Sequence, residues 1–526
     1  MRGTRVVAVS AASALVLAVL QLTLPVTGSD LSAQVARADF FAAHGSALVD
    51  LRWYGGVHPW GYSLVSPPLM AALGVRPTGA LALLASATAF AALLVRLRVP
   101  RPLLGSLVGV VTIAGNLVSG RVTYALGVAF GLAALLALTL PADRSRRVRA
   151  GAAVVAALLA SAASPVAGLF VGLAGVALLL TRRYADGLLL AVPAAGPLAV
   201  TGLLFGEGGW MNISRADTTH AVVTSLLVAA LVAYRPVRVG ALLSGAGVLA
   251  AALLPTPVGL NATRLVVMFA LPVLAAAATL PDRLTARWPT ARRLPRAAGA
   301  VALAALLAVV CWWQPPVVTA DVRSAGDPTA DPAYFAPLRA ELDRRGLTGR
   351  VEVPPTRNYW EAARLGELPL ARGWLRQADI DRNPLFFTTV PGASGTGVPL
   401  TPDSYRAWLA DNAVQYVAVP DVELSWVGRP EAELVTAGQP YLTEAWSDRH
   451  WRLYAVADPI PLVAAPGELV RQDGASVTFR APGPGPVPVR VRHDRWLTVT
   501  GGATLAADGG WTVVTVPRAG TYTLGS

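Results

Sequence analysis

The chain contains no lysine: its 44 basic residues are all arginine. It has one cysteine, Cys311, so no intrachain disulfide can form, and cysteine usage says nothing of compartment. Charge is scarce. Only 14% of the 526 residues are charged and 54% are hydrophobic, with a mean hydropathy of +0.52, whereas a soluble protein carries about 25% charged residues. Acids are rarer still in the first part, with 8 Asp and Glu up to Pro315 against 24 Arg. Three signatures are missing as well: G-x-x-x-x-G-K, H-E-x-x-H and C-x-x-C. ATP-driven and metalloprotease chemistry therefore have no support.

What fills the first part is apolar. Runs near the roughly 17–25 residues needed to cross a bilayer recur from Val6 to Trp313 and stop after Pro315. Eleven spans are expected, at about 6–27, 78–95, 103–118, 122–140, 151–163, 166–181, 187–205, 220–234, 239–254, 264–281 and 298–314. The stretch 151–181 reads either as a pair or as one long helix. The first run is longer than a signal-peptide core and is read as a retained helix. Residues 64–75, beginning near Pro67-Pro68, read as a short helix in the membrane interface.

Arginine placement sets the expected orientation. Alternate loops carry 18 arginines, including Arg96, Arg101, Arg144, Arg149, Arg183, Arg238, Arg283, Arg287, Arg292 and Arg293, and the opposite loops carry six. The positive-inside rule then places the N-terminus in the cytoplasm and the C-terminal part outside a plasma membrane. The first 315 residues have net charge +16 and the rest −3. The pI near 10.6 is thus loop arginine, not a nucleic-acid footprint.

The six outer arginines oppose that rule and need another reason. Arg121 in "GNLVSGRVTYALG" and Arg264 in "PTPVGLNATRLVV" each sit at a helix start, and Arg215 follows "GEGGWMNIS". A shared phosphate would be such a reason, because guanidinium forks bind phosphate oxygens bidentately. Lipid headgroups and helix capping are the competing reasons. Tyr124, three residues beyond Arg121, joins them as a candidate substrate-binding residue. The Asn212 and Asn261 sequons are read as chance matches.

The first outer loop is unusually polar. "GSDLSAQVARADFFAAHG" predicts an amphipathic helix over 30–44 lying on the membrane, with Asp30, Gln34, Arg37, Phe41 and His44 on one face. Asp39 falls about 180° from Asp30 on that helix. Asp30 follows the first span directly and would sit at the outer mouth of the bundle, where it could also serve as an N-cap. Asp50 and Arg52 in "LVDLRWYGG" can pair with each other. Trp53, Tyr54 and Trp60 could stack on sugars or anchor in the interface, and His58 lies among those aromatics.

The C-terminal part divides in two. Residues 316–460 alternate helix-like and strand-like segments, such as "PDSYRAWLADNA" before "VQYVAVP", which is an α/β pattern. Residues 461–526 alternate with period two and turn at Gly and Pro, as in "VPVRVRHD", which predicts a small β-sandwich. Eight of the 14 Trp lie beyond Pro315, available for core packing or glycan contact.

Taken together, the chain resembles the GT-C superfamily of integral membrane glycosyltransferases. "SDLSAQVARADFFAAHG", "LRWYGG…GYSLVSPPLMAALG" and "NLVSGRVTYALG", with "YRAWLADNAVQYVAVPD" and "HWRLYAVADPIPLV", are similar to an actinobacterial group of membrane proteins related to the YfhO type. The resemblance implies a helical GT-C-like membrane bundle, a polyprenyl-phosphate sugar donor, an extracytoplasmic glycan or envelope acceptor, and contact with membrane lipids. It gives Asp30 the place of the catalytic acid. Many members carry two adjacent acids there, whereas Ser29 precedes Asp30 here. No cofactor is demanded, and a divalent metal ion is the one the resemblance allows. Gln34, Arg37, His44, Asp50, Arg52, Trp53, His58, Arg121, Tyr124, Arg215 and Arg264 are the candidate substrate-binding residues.

Two other functions fit a polytopic chain. A transporter would show internal repeats and polar midplane sites, and neither is evident. A non-catalytic envelope scaffold would bind glycan through its C-terminal part.

Overall fold

A computed structural model describes residues 2–140, 146–279 and 296–526. The loop arginines Arg144, Arg283, Arg287, Arg292 and Arg293, and the end of the span expected to reach 281, lie outside the described residues.

Every expected apolar run is helical. In chain order the bundle holds α1 (Arg2–Thr23), α4 (Val75–Arg96), α5 (Pro102–Val118), α6 (Val122–Ala137), α7 (Arg146–Ala163), α8 (Pro165–Leu180), α9 (Tyr184–Leu204), α10 (Arg215–Leu231), α11 (Arg235–Leu253), α12 (Arg264–Ala277) and a last helix, Arg296–Trp313. Between α1 and α4 lie α2 (Leu31–His44) and the short α3 (Ser66–Leu73). Five segments are long and apolar enough to cross a bilayer: Gly3–Thr23, Val75–Arg96, Tyr184–Leu204, Arg235–Leu253 and Gly259–Ala277. Their exposed residues include Leu15, Val19, Leu203 and Leu253, so the bundle turns hydrocarbon outward, as a multi-pass membrane protein must.

The sequence explains the breaks. α7 and α8 are a pair because Ser164 caps α8 through the Ala167 N–H and Pro165 opens it. Small residues allow close packing without hydrophobic drive between helices. A Cβ on Gly105 of α5 would strike Ala276 of α12, and one on Gly127 of α6 would meet Ala167 of α8 at 2.6 Å.

The two loop sets meet at opposite ends. At one end Arg101 Nε donates to Ala275 O (2.9 Å), Arg96 Nη1 to Thr139 O (3.1 Å) and Tyr234 Oη to Leu97 O (3.1 Å). At the other end the starts of α2 and α6 meet the C-terminal part, and the start of α12 meets Asp30.

That part opens with a four-stranded sheet in the order β1-β2-β4-β3, formed by Arg350–Glu352, Val414–Pro420, Trp451–Val456 and Leu442–Ser447; β1 and β2 are parallel, the other pairs antiparallel. Two antiparallel sheets follow. One is β7-β10-β9 (Gly485–Arg492, Trp511–Val516, Thr504–Asp508), the other β5-β6-β11-β8 (Glu468–Gln472, Ser476–Ala481, Gly520–Gly525, Thr498–Val499). They face each other over Val477, Phe479, Val487, Val489, Val514 and Tyr522, the inward set of the period-two pattern.

The polar first loop is the joint between these units. Leu51 N–H donates to Gly474 O, Leu370 N–H to Arg52 O and Arg492 N–H to Gly55 O, at 2.7, 2.7 and 2.8 Å. Val49 and Leu51 enter the sandwich core. α2 is correspondingly not a surface helix on a membrane. Leu31, Ser32, Ala33, Gln34, Ala36, Arg37, Ala38 and Phe40 are all buried, because the bundle, the first loop and the C-terminal part close on the helix from several sides. Ser32 Oγ donates to Asn358 O at 2.7 Å across that contact.

His58 forms a latch within this joint. Its Nε2 lies 2.8 Å from Asp494 Oδ2 of the sandwich and its Nδ1 3.2 Å from Glu207 Oε1, beyond α9. Burial alone would lower its pKa, but hydrogen bonds to Asp494 and Glu207 outweigh burial and raise it to about 9. The folded value exceeds the ordinary 6.5, so the latch contributes fully below about pH 6.5 and is lost as pH rises through about 9. Protease sensitivity of residues 461–526 should therefore rise between pH 7 and 9.5 in the native protein. In His58→Gln it should be high at both pH values. Equal native sensitivity at the two pH values would remove the latch from the account.

Candidate functional site

Two turns build the site. Residues 28–30, between α1 and α2, lie against residues 119–121, between α5 and α6. Gly28 has φ +93° and Gly120 φ +77°, conformations open to glycine. A Cβ on Gly28 would collide with the Ser119 backbone, and one on Gly120 with the Leu31 backbone. Across the contact Asp30 N–H donates to Ser119 O at 3.2 Å and Thr27 Oγ1 to Val118 O at 2.9 Å.

This packing aims Asp30 at two arginines. Its Oδ2 accepts from Arg121 Nε at 3.1 Å and from Arg264 Nη2 at 3.4 Å. Asp30 occupies the N-cap position of α2 but makes no side-chain capping bond; its carboxylate is turned to the guanidiniums instead. Gln34, fully buried, donates from Nε2 to Asp30 O at 3.3 Å and accepts from Thr123 Oγ1 at 2.5 Å. Arg264 lies 5.4 Å from the centre of the Tyr124 ring. The Tyr124 hydroxyl is buried with no partner among the described residues.

Arg37 stands beside this group. It is buried, stacks at 3.7 Å on Tyr62 and lies 5.4 Å from the Trp374 ring. Its Nη1 has no hydrogen-bond partner among the described residues. Burial lowers its pKa, opposed by Tyr62, Asp50 and Asp30. A desolvated guanidinium with a free N–H facing an aromatic pair is equipped to receive an oxygen from a ligand.

Below Tyr124 an apolar cavity of about 510 Å³ opens along α6, lined from Tyr124 through Gly131 and Leu135 to Thr139, with Phe170 and Phe269 opposite. From Tyr124 to Leu135 the eleven helical steps of ~1.5 Å give it a reach of ~17 Å. Its lining is almost wholly hydrocarbon, and Tyr124 separates it from Arg264 and Asp30, which do not line it.

Other candidates are placed elsewhere. Asp50 and Arg52 form a buried pair (2.7 Å) that also holds Ala36 O, so both are structural. Trp53 is core, with Nε1 bonded to Ala362 O at 3.2 Å, not a sugar platform. His44 bonds Glu367 at 2.8 Å at the far end of α2. His58 is the latch. Arg215 is exposed and engages Gly392 O through its backbone N–H, with no ion pair to Asp30. The structure thus gathers Asp30, Gln34, Arg37, Arg121, Tyr124 and Arg264, and disperses the rest.

Sequence reasoning missed three members. Asp321, beyond the last bundle helix, accepts from Ser119 Oγ at 2.6 Å and Ser29 N–H at 3.4 Å. Burial raises its pKa against the hydrogen bond from Ser119. Trp374 Nε1 donates to Ser29 O at 2.8 Å, and Tyr62 covers Arg37. Only Tyr62 had a local signal, in the aromatic cluster after His58. The other two reach the site from more than 290 residues away.

No family model and no curated protein matches the chain. Solved structures similar to it include the arabinofuranosyltransferase AftD from Mycobacteria, with 18% identity, TM-score 0.45, and coverage of 91% of this chain and 41% of that one. This chain therefore spans about two fifths of AftD's length, as the 41% coverage states. ArnT from Cupriavidus metallidurans in the apo state gives 14% identity, TM-score 0.46, and coverage of 86% and 98%. ArnT bound to undecaprenyl phosphate gives 16% identity, TM-score 0.38, and coverage of 85% and 97%. At these values the likeness says nothing of chemistry, which rests on the chain's own residues.

Proposed function

We propose that this protein is an integral membrane glycosyltransferase of GT-C type. It moves a sugar from a polyprenyl-phosphate carrier to a hydroxyl of an envelope glycan, at the extracytoplasmic end of the bundle. The observation that carries the reading is Asp30 held between Arg121 and Arg264, beside Tyr124, which lines an apolar cavity.

The parts suit a lipid phosphate. The cavity takes the polyprenyl chain by burial of hydrocarbon. Arg121 and Arg264 take the phosphate, to which guanidiniums make short charge-assisted bonds. In the resting site they hold Asp30 through charge-assisted hydrogen bonds. A phosphate entering between them draws their N–H groups and frees the carboxylate. The acceptor hydroxyl then gives its proton to Asp30 while its oxygen attacks the anomeric carbon. The bond from that carbon to the phosphate oxygen breaks, its electron pair leaves on the phosphate, and the two arginines stabilise the developing charge. Arg37, over Tyr62 and beside Trp374, faces the sugar.

The donor set does not fit a divalent metal. The Oδ2 of Asp30 is shared by two guanidiniums, and both Asp321 oxygens already accept hydrogen bonds. Among the described residues no group of three or more His, Cys, Asp or Glu is placed to hold an ion. No step is assigned to a metal.

Undecaprenyl phosphate binding to the full chain in nanodiscs tests the reading. Arg121→Ala and Arg264→Ala should each lose ~1.5–3 kcal/mol, about 10- to 150-fold in affinity. Unchanged affinity in both variants would refute the phosphate seat. Orientation is tested by an alkaline phosphatase fusion at Ser526, which should be active; an inactive fusion would place the site in the cytoplasm.

A further inference from the structure

A second group of guanidiniums lies where the first outer loop, the α/β sheet and the sandwich meet. Arg350 on β1, and Arg490 and Arg492 on β7, surround the Trp511 ring at 5.5, 5.5 and 3.8 Å from its centre. Gly55 of the first loop closes the cluster: a Cβ there would lie 2.8 Å from Trp511 and 3.1 Å from Arg350 Nη2.

The charges do not balance. Arg350 is only 2% exposed; its Nη1 donates to Asn412 O at 2.9 Å and its Nη2 to Arg490 O, while its Nε has no partner. Arg492 Nε is also buried without a partner among the described residues. The carboxylate within reach is Asp411, 3.5 Å from Arg490, and its Oδ1 already accepts the Trp511 indole N–H at 2.9 Å. Burial first, then the neighbouring arginines, lowers Arg350 to about 9 and Arg492 to about 10. Desolvated charge without a counter-ion is destabilising, and packing Trp511 needs no such charge. The cluster is not sealed, since Arg490 and Asp411 are 29% and 54% exposed.

We infer that this junction binds an anionic group of an envelope glycan, a phosphate or a uronate carboxylate, on Arg490 and Arg492, with Arg350 as the buried charge behind them. The term glycan rests on the proposed function; the anion does not. The junction touches the loop that carries Asp30, so it is placed to hold a long acceptor while the distal hydroxyl reacts.

Calorimetry on the full chain in detergent, in phosphate-free buffer, tests this with pyrophosphate, a galacturonate hexamer and neutral maltohexaose as probes. At least one anionic probe should bind, and maltohexaose should not; which anion binds identifies the group. Arg490→Gln/Arg492→Gln should weaken that binding at least about tenfold, the scale of one charge-assisted bond. Arg452→Gln, an exposed arginine paired with Glu444, should leave it unchanged. Should the double variant fail to fold, Arg490→Gln alone, at a partly exposed position, gives the reading. Undecaprenyl phosphate binding, measured in parallel, should be unaffected. No binding of either anion by the native chain, or equal binding by the arginine variants, would overturn the inference, whatever the state of the donor site.

Discussion

Asp30→Asn should lower glycan transfer by ~10²–10⁴-fold, the contribution of a positioned general base, while the chain still inserts and folds. The usual objection, loss of a helix cap, does not apply. Asp30 makes no side-chain capping bond, and Asn caps as well as Asp. What Asn loses is basicity and charge toward Arg121 and Arg264. Two guanidiniums then face each other uncompensated, and they should bind undecaprenyl phosphate at least as tightly as the native protein does. Transfer falling while phosphate affinity holds or rises is the expected pattern. Asp39→Asn is the control: Asp39 is exposed on the other side of α2, and its loss should change little. Near-native transfer by Asp30→Asn in vesicles would end the assignment and turn attention to Asp321.

The second large effect is expected from Arg372→Leu. Arg372 is buried with three carboxylates. It bonds Asp379 at 3.0 and 2.8 Å and Glu431 at 2.9 Å, and lies 3.7 Å from Glu352. Removing the one cation leaves those acids buried without it, a cost of ~3–5 kcal/mol for a broken buried pair. Thermal unfolding of the full chain in detergent should show it. The cost should also depend on pH. Burial raises Glu352, and raises Glu431 to about 7. The folded state then binds protons more tightly than the unfolded state, so stability falls as pH rises through about 7. The Arg372→Leu deficit should be larger at pH 8 than at pH 5.5, where Glu352 and Glu431 take up protons and need the cation less. A deficit independent of pH would mean the carboxylates are not its source. The site should feel the loss too, because Arg372 anchors the turn that carries Trp374 onto Ser29 O.

Much of the membrane part was legible because its signals are local. A hydrocarbon interior demands apolar helices of set length with satisfied backbones, and such runs can be read without knowing any partner. Arginine placement sorted the loops into two sets, and among the described residues Arg96 and Arg101 meet the chain at one end of the bundle while Arg121 and Arg264 meet at the other. Period-two alternation marked the closing strands, and Asp50 and Arg52, two residues apart, could be paired on paper. Asp30, Arg121 and Arg264 stood out singly, as an acid and two arginines where composition and orientation disfavour charge.

Their meeting was not legible. Arg121 and Arg264 come to one carboxylate oxygen from 91 and 234 residues away, a separation on which helical and strand periods say nothing. The same holds for α2, whose two-faced pattern read as a membrane-surface helix. Its polar face is buried because segments distant along the chain close on it: Thr123 of α6 meets Gln34, and Tyr62 and Trp374 cover Arg37. Trp53 and His58 kept the chemistry of binding residues in the sequence and became core and latch in the fold, since a side chain's role depends on what covers it. The sequence by itself determined where the chain is hydrocarbon, which loops share an end, and which charges are out of place. Only tertiary structure decided which of those charges face one another, because burial and pairing are set by contacts between segments that are distant along the chain.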